Sequence, residues 1–70
     1  MLDLRKDDID FIKAHIGNNS VLLKTDDIGV FLEVLYNWID INGFDDTGEN
    51  YNNLGRSAQR VYDYAYANND

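Results

Sequence analysis

Between Ile28 and Ile41 apolar side chains return every three or four residues, and at 100° per residue Ile28, Phe31, Leu32, Leu35, Trp38 and Ile39 fall on one face. Val30, Val34 and Ile41 widen that face, so the pattern predicts a central helix over Ile28 to Ile41. Thr25 or Asp26 suits its N-cap, placing Asp26 and Asp27 where the helix macrodipole favours negative charge. Upstream, Ile9, Ile12 and Ile16 keep the same spacing, and Gly17-Asn18-Asn19 supplies stop chemistry, which predicts a first helix over Asp7 to Ile16. Downstream, Tyr51, Leu54, Ala58, Val61, Tyr62 and Ala65 share a face, with Gly55 and Tyr66 at its margin. That face predicts a last helix capped by Thr47 or Asn50 and running to about Ala67.

The N-terminal pattern admits two readings. Leu2 and Leu4 alternate with polar residues, and Ser20-Val21-Leu22-Leu23-Lys24 is a short apolar run between turn formers, so the two can pair as a small hairpin. An all-helical arrangement fits nearly as well. Either way the expected fold is mainly α, a compact three-helix domain with an optional two-stranded β-hairpin (α+β), in a single domain over residues 1–70. Seventy residues bury roughly 60% of the surface the unfolded chain exposes, which limits stability. A hydrophobic content of 44% is nevertheless too high for a disordered acidic tail.

Charge changes the picture most. Residues 25–55 hold seven carboxylates (Asp26, Asp27, Glu33, Asp40, Asp45, Asp46 and Glu49) and no Lys or Arg, while the flanking segments are balanced, so the formal net charge of −7 resides in the middle. Such a field repels nucleic acid and anionic membranes and attracts basic surfaces. On the central helix Asp26, Glu33 and Asp40 fall seven residues apart, a line of about 21 Å at 1.5 Å per residue. With the connector carboxylates Asp45, Asp46 and Glu49 they can present themselves to a groove built for a phosphate backbone. The expected partner is a basic protein, a nucleic-acid enzyme or its complex, with Glu33, Asp40, Asp45, Asp46 and Glu49 as anionic contacts and no direct binding of nucleic acid or membrane.

Other chemistry is thinly provisioned. There is one His, no Cys, and two Ser outside any nucleophile signature, so no catalytic residue is assigned and enzyme activity is not expected. His15, at the edge of the first helix's apolar face, reads as structural. The Asp7-Asp8, Asp26-Asp27 and Asp45-Asp46 pairs read as solvated caps and turns. A calcium loop started at Asp40 needs an oxygen ligand fifth, Gly sixth and Glu twelfth, and finds Phe44, Asp45 and Tyr51. No metal ligand set or cofactor is therefore assigned, and a divalent-ion-binding module is the weaker alternative. Trp38, Tyr51 and Tyr62 are expected in the core and Phe44 against it. Tyr64, off the last helix's apolar face beside Arg60 and Ser57, is a secondary contact with Arg60, suited to a partner or to a structural or regulatory homodimer. No apolar run nears the roughly 18 residues of a membrane span, and Met1 to Arg5 lacks the order of a signal peptide, so a soluble, cytoplasmic protein is expected, in a bacterial host cell if the resemblance described next holds.

The run Asn53-Leu54-Gly55-Arg56-Ser57-Ala58-Gln59-Arg60-Val61-Tyr62-Asp63, followed by Tyr66 and preceded by Gly43-Phe44-Asp45-Asp46, resembles the ending of short proteins from bacterial phages and mobile elements. That likeness covers roughly Leu35 to Asn68. It implies structural roles: Gly55 admitting a close helix approach, Arg56 and Arg60 pairing with nearby carboxylates, Tyr62 closing the core. It also implies an origin in which small acidic antagonists of host nucleic-acid enzymes occur. The chain is similar to anti-CRISPR proteins in size and charge, and the function expected is that of an inhibitor or regulator acting as a nucleic-acid (DNA or RNA) mimic.

Overall fold

The computed structural model describes residues Met1–Asn69: helix α1 (Lys6–His15), a single 3-10 turn (Val21–Leu23), helix α2 (Ile28–Asn42) and helix α3 (Asn53–Asn68). α2 and α3 form the main contact, and α1 lies against α3 and the 3-10 turn. One core joins them all, with Ile12, Leu22, Phe31, Leu35, Ile39, Ala58, Val61 and Ala65 removed from solvent. Trp38, Phe44 and Tyr62 are half-buried against it, whereas Tyr51, expected inside, stays 37% exposed. Ile41, expected to widen the buried face of α2, is 80% exposed, because the third helix covers only the arc centred on Leu35.

The caps fall later than the sequence suggested. Asp27, not Thr25 or Asp26, caps α2, its Oδ1 accepting from the amides of Gly29 (2.8 Å) and Val30 (3.2 Å). Asn52, not Thr47 or Asn50, caps α3 through Oδ1 and the Gly55 amide (2.8 Å). The reason lies across the helix pair. The Asn52 amide nitrogen donates to the carbonyls of Asn42 (2.9 Å) and Phe44 (3.1 Å), and its backbone N–H donates to Gly43 (2.9 Å). One residue thus starts α3 and satisfies three carbonyls where α2 ends.

Gly43 and Gly55 make this junction possible. A Cβ on Gly55 would sit 2.0 Å from the Gly43 carbonyl oxygen, and one on Gly43 would sit 3.0 Å from the Gly55 Cα. The connector then closes on itself through an isolated antiparallel bridge between Phe44 and Tyr51.

Among the described residues no strand forms, so the optional hairpin is replaced by two other structures. Leu2 and Leu4 pack on the core from an extended arm held by Asn69, whose side-chain oxygen accepts the Asp3 amide (2.7 Å) and whose nitrogen donates to the Asp3 carbonyl (2.9 Å). The Ser20–Lys24 run curls into the 3-10 turn, capped by the Ser20 hydroxyl accepting the Leu22 amide (3.1 Å).

Asp8 reverses its expected solvated role. It is 3% exposed, and both its oxygens accept from Arg5, Nε to Oδ2 and Nη2 to Oδ1 at 3.0 Å each. A carboxylate so buried requires this fork of donors.

Candidate functional site

On a helical wheel the outward arc of α2 runs from Tyr36 through Asp40, Glu33 and Asn37 to Val30 and Ile41, and all six are exposed. Glu33 and Asp40 stand two turns apart on one side, as their spacing predicts. Asp26 leaves that line: it precedes the helix and receives the Met1 amine. The three-membered row is therefore a pair.

In the connector Asp46 and Glu49 are exposed, while Asp45 has a local duty. Its Oδ1 accepts the Thr47 hydroxyl (2.7 Å) and the Thr47 amide (3.1 Å). The Thr47 hydroxyl foremost, with backbone and side-chain bonds to Asn50 and Thr47, holds the Asp45 carboxyl below the ordinary 3.8 against a smaller opposing effect of desolvation. Among the described residues the ion pairs are Arg5 with Asp8 and the Met1 amine with Asp26. None of the seven central carboxylates is thus neutralised by a Lys or Arg side chain.

Where α2 meets the connector, Tyr36, Ile39, Asp40, Phe44, Tyr51 and Gln59 line a recess of about 60 Å³. Phe44 and Tyr51 face each other across the bridge, ring centres 5.0 Å apart and planes tilted by 31°. The Tyr51 hydroxyl donates to Gln59 Oε1 (3.1 Å), and Gln59 Nε2 donates to Asp63 (2.9 Å). Of the five expected contact residues only Asp40 reaches this recess. Tyr36, Phe44, Tyr51 and Gln59 were not singled out as contacts, although one signal was present: Tyr36 is an aromatic on the polar side of the wheel, one turn before Asp40.

The secondary contact divides. Arg60 is exposed, but Tyr64 is half-buried beneath the Arg5 guanidinium, 4.7 Å from its ring centre, with its hydroxyl 3.5 Å from Asp3. Arg5, Asp7, Asp8, Ser57 and Arg60 border a second, larger cleft of about 200 Å³ with both signs of charge. Among the described residues neither Arg56 nor Arg60 pairs with a carboxylate as expected; Arg56 instead donates to Asn53 (3.2 Å). His15 is exposed, its ring 5.0 Å from that of Phe11. Among the described residues no three His, Asp or Glu side chains group as a cation requires, and no helix is long and apolar enough to cross a membrane.

Fold and surface together define a three-helix protein with an anionic, partly aromatic face. No protein-family model, curated protein or solved structure matches the chain.

Proposed function

We propose that this chain is a small acidic inhibitor or regulator that binds a basic, nucleic-acid-handling protein and occupies a groove that otherwise holds a phosphate backbone. The phage or mobile-element origin and the anti-CRISPR-like role belong to this proposal, as does action in the cytoplasm of a bacterial host. The observation that carries it is the exposure of Glu33, Asp40, Asp46 and Glu49, none of which forms an ion pair among the described residues. A face kept only for solubility gains by interspersing Lys and Arg, since uncompensated like charge destabilises the compact state. Asp45 contributes its charge while holding the connector in shape. The reading in which the protein pairs with itself through Arg60 and Tyr64 has less support, because Arg5 already covers the Tyr64 ring. The divalent-ion reading has no grouped ligand set among the described residues to support it.

Affinity capture from a bacterial lysate at low and high salt tests the proposal, run beside a variant carrying Glu33→Gln, Asp40→Asn, Asp45→Asn, Asp46→Asn and Glu49→Gln. The expected result is one basic nucleic-acid enzyme, retained at low salt, released at high salt and absent with the variant. Capture indifferent to both salt and charge would overturn it.

A further inference from the structure

The recess between α2 and the connector has a composition that solvation and core packing do not explain. Pairing across the bridge accounts for Phe44 and Tyr51, but Tyr36 is 61% exposed and Asp40 forms no ion pair among the described residues, and both line the same opening. Ile39, 3% exposed, gives the recess an apolar floor. Its size suits the end of one side chain and falls far short of the roughly 300 Å³ at which small-molecule pockets begin.

The chemistry of the walls selects the occupant. Aromatic faces carry negative potential and attract cations, and the Asp40 carboxylate adds a full charge one helical turn from Tyr36. No cationic side chain lines the recess, so an anion would be repelled. An apolar occupant would cover Asp40 without replacing its water, which costs more than the apolar contact returns. Among cations, guanidinium is planar, weakly hydrated and able to lie on a ring while donating to a carboxylate, features an ammonium lacks.

We infer that Tyr36, Asp40, Phe44 and Tyr51 form a receptor for an arginine side chain presented by the protein's partner. This rests on the basic-partner reading above and sharpens it, since it makes one arginine the anchor and the connector carboxylates the surrounding field. Asp40 and Tyr36 grip the guanidinium, Phe44 and Tyr51 form the wall it stacks upon, and Gln59 holds the Tyr51 hydroxyl in place.

The test is a titration of 15N-labelled protein with N-acetyl-arginine amide, its lysine counterpart and its uncharged isostere citrulline, read by amide chemical shifts. Arginine should give saturable shifts centred on Tyr36, Asp40, Phe44 and Tyr51 at about millimolar affinity, lysine should bind about three-fold more weakly, and citrulline should give none. Asp40→Asn and Tyr36→Leu should each weaken arginine about three- to five-fold, while Asp46→Asn with Glu49→Gln leaves it within about two-fold. Both Tyr36 and Asp40 are exposed, so the spectra of these variants should keep native dispersion. Shifts spread equally over Asp26, Asp46 and Glu49, or affinity unmoved by Asp40→Asn, would overturn the receptor. Capture of a basic enzyme together with a failed arginine titration removes the receptor alone. Arginine binding with no charge-dependent capture removes the inhibitor reading and leaves the receptor standing.

Discussion

Asn52 and Gly55 carry more of the architecture than their size suggests, because each acts at the point where α2 and α3 cross. Asn52→Ala removes an N-cap and the donors to two carbonyls at once, a loss of about 2 kcal/mol, which in a domain this small should lower Tm by about 10 °C in a thermal melt. Gly55→Ala should be worse, about 3 kcal/mol in urea unfolding, since a Cβ 2.0 Å from a backbone oxygen cannot be relieved by rotating a side chain. The close approach at Gly55 is legible in the sequence, as a glycine at the margin of a helix's apolar face within the run that carries the resemblance. Its partner Gly43 is not, because sequence spacing does not say which backbone arrives opposite. Asp45 supplies a prediction of a different kind. Its folded-state pKa lies below the unfolded value near 3.8, so the stability it contributes is complete above 3.8 and is lost as pH falls through the lower folded value. An NMR titration of the Thr47 amide should therefore show its midpoint below 3.8; a midpoint at or above that value would mean the Asp45–Thr47 latch is absent in solution.

At the level of elements, α2 is the part the sequence described best, and its outer face the part it described least. A period of 3.6 identifies which residues can share a face, but burial depends on how wide an arc the neighbouring helices cover. Here that arc takes Phe31, Leu35 and Ile39 and leaves Ile41 and Tyr36 outside. The N-terminal arm shows the same limit. Leu2 and Leu4 reach the core as their alternation predicts, yet the backbone partner is the Asn69 side chain, 66 residues away from Asp3, rather than a strand. Asn69→Ala should free the arm while the helices persist. The expected signature is faster hydrogen exchange at the Asp3 amide, by about ten-fold, with far-UV circular dichroism unchanged. Arg5 belongs to the same element, binding Asp8, covering Tyr64 and donating to the Arg60 carbonyl (3.4 Å), and the Asp8 hydrogen bond foremost pushes its guanidinium pKa further up.

Across the whole molecule, unbalanced charge governs the electrostatics. Seven central carboxylates without a Lys or Arg partner repel one another, so the fold should gain stability as salt screens them. Tm should rise between about 0.01 and 0.5 M NaCl, where the screening length falls from roughly 30 Å to a few ångströms. Neutralising Asp40, Asp46 and Glu49 together should raise Tm in the same direction at low salt. If the proposed function holds, that triple variant is more stable and binds its partner less well, the pattern expected where stability is given up at a working surface. A Tm that falls with salt would show that these charges are compensated in a way the ion pairs do not reveal.

Two features are legible in the residue order alone: the three helices, because burial of one face imposes a period that neighbours in sequence must share, and the location of the charge, because net charge is a sum over residues whatever the fold. Which of those residues meet depends on how the helices pack. Arg5 meets the Tyr64 ring and the Arg60 carbonyl across the molecule as well as Asp8 three residues on. Asn52 displaces Thr47 and Asn50 as the cap because the Gly43–Gly55 contact fixes where the chain turns. Tyr36, Asp40, Phe44, Tyr51 and Gln59 line one recess although the first and last stand 23 positions apart: the i, i+4 spacing of Tyr36 and Asp40 is legible in α2, but only the crossing of two helices brings Phe44, Tyr51 and Gln59 to them.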